Sequence, residues 1–297
     1  MTSPLARGLF HRVVGESGTV ISGDPLTLMQ AESRGKTFAA RWKVPPDASL
    51  RDLRAVSAAA ILATDPNFLE TLPPYLGITI DGYVVPKHPA SVFATRQEHA
   101  VPLLLGSNAR ERIPGTTPPV DLKKAIDSAY GPLAARAQAL YVGAADPLYG
   151  TPADQWATDA SFRCSAVAQL VWHVAAGHVD FGYEFARVPP GREALGATHT
   201  SELPYVFGTL DRPGVFGRVE AQPNKIDAQI SETMQQYWTN FAKNGDPNGG
   251  ALPTWPKFNV RSRAYVQFMD TGPIAKEGLR RPHCDLFIEN VKRSVAP

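Results

Sequence analysis

Apolar positions along this chain fall into short blocks and longer periodic stretches that take turns. Short apolar or alternating blocks at residues 10–15, 101–107, 179–186 and 264–269 predict strands. A fifth block, 78–85, alternates like a strand around the turn Asp81-Gly82. Between the blocks, apolar residues recur at roughly helical spacing over 25–42, 49–63, 119–145, 152–177 and 224–243. Local chemistry agrees with several of these boundaries. Pro25 suits a first helical turn, Ser49 suits an N-cap with Asp52 close behind, and the turn-rich loop 244–250 stops the last helix.

The block Val101-Pro-Leu-Leu-Leu-Gly-Ser107 is apolar at successive positions rather than alternate ones, as a strand covered on both faces requires. Strands alternating with helices predict an α/β fold, a mainly parallel sheet with flanking helices. No internal repeat or low-complexity tract interrupts it.

Composition narrows the function. The chain is 43% apolar and 20% charged, and thirty basic against twenty-eight acidic residues leave a net charge of +2. That balance excludes a polyanion-binding protein, so nucleic acid is not expected as a partner. The basic pairs Arg280-Arg281 and Lys292-Arg293 read as a solvated end. No apolar run approaches the ~20 residues of a membrane span. Residues 1–12 lack the long apolar core of a signal peptide. Of the two cysteines, Cys164 falls inside an expected helix, and a buried free thiol is the expected state.

Candidate chemistry gathers in two loops that follow apolar strands. One carries Asn108-Ala-Arg-Glu111; the other carries His199 within Gly196-Ala-Thr-His199-Thr-Ser-Glu202-Leu-Pro-Tyr-Val-Phe-Gly208. Small residues around His199 leave the imidazole room, and the aromatic turn behind it supplies support. In doubly wound sheets the C-terminal ends of strands share one rim, so Glu111 and His199 can meet there. The carboxylate would then fix the tautomer of a general base. Spacing alone leaves a second reading open, in which Glu111 pairs with Arg110 or Arg112 at the surface.

The remaining motifs are weaker. His173 and His178, five apart at a helix end, fit no common metal spacing, and HExxH, CxxC, GxGxxG and P-loop patterns are absent. No metal and no cofactor are expected. Gly15-Glu-Ser17-Gly-Thr19 resembles the start of a nucleophile elbow, but Thr19 occupies a place that requires a very small residue. Ser17 reads as a strand-end turn.

With these segments in view, the chain resembles the type-B carboxylesterase/lipase family of α/β-hydrolases, which includes cholinesterases and para-nitrobenzyl esterases. Ser3-Pro-Leu-Ala-Arg-Gly-Leu-Phe-His-Arg12 is similar to the family segment that follows the elbow helix. Residues 101–111 and 196–208 are similar to the segments bearing the triad acid and histidine, and 237–248 to a closing helix and loop. The resemblance implies Glu111 as triad acid, His199 as base, and Glu202 as a supporting second carboxylate near the site. It departs from the family pattern at Thr200 and Arg112, where glycine is usual.

It also implies that residues 1–297 are the C-terminal portion of one carboxylesterase domain, with the nucleophilic serine and oxyanion hole outside the chain. The expected function is therefore a serine carboxylesterase fragment that is inactive alone, acting on a small-molecule ester in the complete enzyme. Two alternatives are a non-catalytic cholinesterase-like interaction module and one half of a split esterase whose N-terminal half is supplied separately. Phe207 and Tyr75 are guesses for the acyl pocket.

Overall fold

The computed structural model describes residues 1–21, 25–63, 78–112, 121–212 and 223–295. Tyr75 and the first residues of the helix expected from 119 lie outside them. Seven strands are present among the described residues: β1 (Val13–Glu16), β2 (Leu26–Thr27), β3 (Thr79–Ile80), β4 (Leu103–Asn108), β5 (Asp180–Phe185), β6 (Tyr265–Met269) and β7 (Gly272–Lys276). The chain divides into two compact units. The larger takes Met1, 6–22 and 90–297; the smaller takes 2–5 and 23–89.

The larger unit is built on a five-stranded sheet in the order β1-β4-β5-β6-β7. The first four strands run parallel and β7 closes the edge antiparallel. All six residues of β4 and all six of β5 are buried, and successive leucines of β4 enter opposite layers. Leu104 packs with Phe181, Tyr183, Phe185 and Phe268 against Met234, Trp238 and Phe241. Leu103 and Leu105 pack on the other face against Val167, Leu170 and Phe287. Each such fully buried side chain contributes ~1.5–3 kcal/mol over its exposed state. Gly106 permits the close approach of β4 to β5, because an added Cβ would lie 2.3 Å from the Tyr183 ring.

The helix Lys225–Asn244 forms nearly where its periodicity placed it. Asn224 accepts N–H bonds from Ile226 and Asp227, and Gly245 closes the other end at φ 76°. The expected helix 152–177 contains a π-turn, Asp159–Arg163, between the α-helices Pro152–Thr158 and Cys164–Ala175. The expected helix 119–145 breaks at Gly131-Pro132 into Leu122–Tyr130 and Ala134–Gln138.

In the smaller unit, β2 and β3 pair in parallel over two residues each. The helix Leu28–Ala39 starts at a capping box between Thr27 and Gln30. The single helix expected over 49–63 is instead Leu50–Ala55 and Ala58–Ala63, because the Ser57 hydroxyl caps Ala60 and restarts the helix. The strand expected over 78–85 shrinks to β3, since Asp81 accepts from the N–H groups of Tyr83 and Val85 and turns the chain.

Two other expectations are corrected. Cys164 is not a free thiol: it is bonded to Cys284, with Cα atoms 4.7 Å apart. The bond joins Cys164–Ala175 to a helix the pattern did not reveal, Arg281–Ser294. Arg280 is not a solvated end either; its guanidinium lies 2.9 Å from Asp159 and 5.3 Å from the Tyr149 ring centre.

Candidate functional site

Glu111 follows β4 and His199 lies in the loop after β5, so both stand at the C-terminal rim of adjacent parallel strands. The structure brings them together. His199 Nδ1 lies 2.8 Å from Glu111 Oε2. The backbones join too, with the His199 N–H donating to the Glu111 carbonyl at 2.9 Å and the Arg110 N–H to the Ala197 carbonyl at 3.0 Å. Two loops 88 residues apart are thus stitched side by side before any side chain is considered.

Glu111 is buried and fully engaged on its second oxygen. Oε1 accepts from Ser17 Oγ at 2.5 Å and from the Asn108 N–H at 2.7 Å, while the Glu111 N–H donates to Thr158 Oγ1 at 3.2 Å. The alternative pairing with Arg110 does not form. Arg110 bonds Asp154 at 2.9 Å and lies over Gly196, where an added Cβ would be 3.0 Å from Arg110 Cδ. Gly196 itself has φ 74°, which glycine adopts without strain.

His199 is held from one side and open on the other. The imidazole is 42% exposed, and Nε2 has no hydrogen bond to a described residue. The Phe162 ring stands 5.0 Å away, tilted against it. The hydrogen bond that His199 donates to Glu111 raises the His199 pKa above its ordinary value against the cost of burial, with Glu111 and Glu202 adding charge attraction. An imidazole with one nitrogen tied to a carboxylate and the other facing outward can take and return a proton at Nε2.

Glu202 joins through Asn108, whose side-chain amide donates both to Glu202 Oε2 and to the Thr198 carbonyl. Burial pushes the Glu202 carboxyl up to about 7, over the opposing hydrogen bond from Asn108. Glu16 lies in the same region, raised by burial and bonded to the Trp238 indole at 2.6 Å. The buried Tyr183 hydroxyl is pushed well above its usual range, first by burial and then by Glu202, Glu16 and Glu111.

The support beneath the acid loop is ionic. Arg163 is fully buried in the π-turn, lies 3.1 Å from Glu184 and 2.5 Å from Asp159, and donates to the Ala109 carbonyl. Gln267 and Tyr149 complete Glu184 at 2.6 and 3.3 Å. A paired, hydrogen-bonded buried charge of this kind fixes the chain ahead of Glu111.

Ser17, Asn108, Thr158, Phe162 and Arg163 all serve this site and were not foreseen. Each acts through a contact between separate elements, so none carries a signal in linear spacing. Ser17 does sit in a strand-end turn, at φ 54°. Its hydroxyl reaches the Glu111 oxygen that His199 does not use. Thr200 adopts φ 71°, a left-handed conformation costly for a β-branched residue, which accounts for glycine being usual there. Phe207 is 68% exposed.

Comparison with known proteins gives one consistent result. The model of the carboxylesterase family matches residues 1–127 and 149–287. A medium-chain fatty acyl-CoA hydrolase precursor of Anas platyrhynchos is 28% identical over 307 residues, covering 93% of this chain and 52% of the relative. Cocaine esterase of Homo sapiens is 28% identical over 300 residues, covering 90% and 50%. A solved thermophilic PNB esterase superposes with TM-score 0.77 at 25% identity, over 96% of this chain and 59% of that one. Another PNB esterase gives TM-score 0.74 at 25% identity, over 95% and 59%. The chain spans about half the length of the curated relatives it matches. With the parallel sheet, its flanking helices and most of the sequence accounted for by one family description, the chain belongs to the carboxylesterase family.

Proposed function

We propose that this chain supplies the acid and base of a serine carboxylesterase, Glu111 and His199, to a nucleophilic serine and oxyanion hole carried by polypeptide outside residues 1–297. The observation that carries the reading is the 2.8 Å contact between His199 Nδ1 and a buried Glu111 otherwise saturated with donors. In the complete enzyme, His199 Nε2 takes the serine proton as the oxygen attacks the carbonyl carbon of a small carboxylic ester. The imidazolium returns that proton to the departing alcohol, leaving an acyl-serine. Water then gives its proton to Nε2 while its oxygen attacks the acyl carbon, and the carboxylic acid leaves as serine is reprotonated. Glu111 holds the tautomer and stabilises the imidazolium. Glu202 supports the loop through Asn108.

Ser17 is the competing nucleophile within the chain, and activity loss in Ser17→Ala would not identify it, because that change also strips a donor from Glu111. Covalent labelling does discriminate. The chain alone should neither hydrolyse p-nitrophenyl acetate nor take up a fluorophosphonate; a label mapped to Ser17 would overturn the proposal. Expressed together with a segment bearing the elbow, the chain should turn over the ester. His199→Ala should then cost roughly 10³-fold or more in kcat/KM.

A further inference from the structure

At the other end of the sheet, four ionisable side chains converge that the Glu111–His199 site does not use. Glu98 precedes β4, His173 lies in the last turn of Cys164–Ala175, His178 stands just past the turn that follows, and Asp180 opens β5. Asp180 pairs in register with Leu103, whereas Phe185 pairs with Asn108 near the acid loop. Five residues of strand therefore separate the two places, about 16 Å at the usual rise.

The donor set is compact. One ligand atom from each of Glu98, His173 and His178 lies within 4.8 Å of the others, and His178 Nε2 is 3.9 Å from Glu98 Oε1. The Glu98 side chain is wholly enclosed, yet neither carboxylate oxygen has a hydrogen-bond partner. Asp180 is equally enclosed; its Oδ1 lies 2.6 Å from His173 Nδ1, and its Oδ2 is unpartnered. Three buried carboxylate oxygens without donors represent a cost that positive charge would remove.

Asp180 also orients its neighbour. His173 Nε2 faces the His99 carbonyl oxygen at 3.4 Å, to which it can only donate, so a metal bound at Nε2 would displace that proton while Asp180 keeps its contact at Nδ1. A carboxylate bonded to a histidine that stands beside a second histidine and a glutamate is the arrangement used to orient metal-bound imidazoles.

We infer that Glu98, His173 and His178 bind one divalent transition-metal cation, zinc fitting best, with Asp180 as the residue that positions His173. Two imidazole nitrogens and one carboxylate oxygen suit zinc, whereas calcium and magnesium require oxygen-rich sets. Neighbouring ligands of a tetrahedral zinc sit about 3.3 Å apart at ordinary bond lengths. With the three donor atoms within 4.8 Å of one another and His178 Nε2 3.9 Å from Glu98, the ligands must draw inward on the metal, and His178, whose side chain is 22% exposed, offers the entry route. Linear spacing hides the site because Glu98 lies 75 residues before His173. Its place remote from Glu111 and His199 makes it a clamp between the end of Cys164–Ala175 and the segment entering β4.

The test uses the full chain stripped with a chelator, then titrated with Zn²⁺ against a chromogenic competitor and with Co²⁺ by visible absorption. One zinc per chain and a rise in Tm on adding Zn²⁺ are expected, with no comparable response to Mg²⁺. His178→Ala and Glu98→Gln should each weaken binding at least tenfold and abolish the Tm response, and Asp180→Asn should weaken it roughly 10–100-fold. Glu98→Gln also guards against simple misfolding: without metal it should unfold no earlier than the parent, since it removes an unpaired buried carboxylate. Absence of stoichiometric zinc, an equal response to Mg²⁺, or zinc binding undiminished in both His178→Ala and Glu98→Gln would overturn the assignment.

Discussion

At the scale of single residues, His199 and Glu202 respond to pH. Glu111 holds His199 above its ordinary pKa, so that pair contributes stability below about pH 6.5 and loses it as pH rises through the folded value. Glu202 adds a slope of the same sign from the opposite chemistry. Its carboxyl ionises at 4.5 when unperturbed and at about 7 in the fold. Between those values the folded state binds more protons than the unfolded one, and stability falls as pH rises. Glu202→Gln removes this slope while keeping an oxygen to accept from Asn108. The variant should match the parent near pH 4 and exceed it by roughly 1–3 kcal/mol at pH 8, read from urea unfolding. A difference that stays constant between the two pH values would show that folding does not shift the ionisation of Glu202. None of this was legible in the sequence, where Glu202 stood only as a carboxylate near the histidine. Its altered acidity comes from burial, which spacing does not encode.

At the scale of elements, legibility followed the strength of local signals. The helix Lys225–Asn244 was readable almost to its ends because Asn224, Asp227 and Gly245 mark them chemically. The buried parallel strands were readable, β4 from an unbroken apolar run and β5 from alternation at strand period. β6 matched the strand expected over 264–269, whereas β7 and the helix after it were not readable. β7 is short and half-exposed, and Arg281–Ser294 starts at Arg280 in a left-handed conformation with no capping side chain. Missing that helix hid the partner of Cys164. The Cys164–Cys284 bond closes a loop of sequence separation 120 and ties two helices packed on the same sheet face. Chain-entropy reasoning puts such a constraint at about 5 kcal/mol, less any strain. Dithiothreitol should therefore lower the thermal transition of the parent markedly. A Cys164→Ala/Cys284→Ala variant should start from that lower value and ignore the reductant. A transition equally sensitive to reductant in both proteins would mean that the bond contributes nothing.

At the scale of the whole molecule, alternating strands and helices sufficed to indicate an α/β sheet, whereas the meeting of Glu111 with His199 did not follow from spacing. It depends on β4 and β5 being neighbours in the sheet; the family resemblance supplied the roles of the two residues but not that strand order. The same topology exposes a vulnerability. β1 is an edge of the five-stranded sheet and pairs among the described residues only with β4. The N–H groups of Val13 and Ser17 point to β4, donating to the carbonyls of Pro102 and Gly106. By strand alternation the Val14 N–H points the other way, and its side chain is 38% exposed. A bare edge of this kind invites pairing with another chain. The 297-residue chain by itself should sediment as concentration-dependent oligomers. Val14→Pro removes a donor from the open edge without touching the β4 ladder, and should shift the distribution toward monomer with little change in the unfolding midpoint. Supplying the proposed N-terminal polypeptide should produce the same shift in the unmutated chain, because the added strands would occupy that edge. If the unmutated chain alone sediments as a monomer at tens of micromolar, or if Val14→Pro associates just as strongly, the open edge of β1 is not what drives assembly.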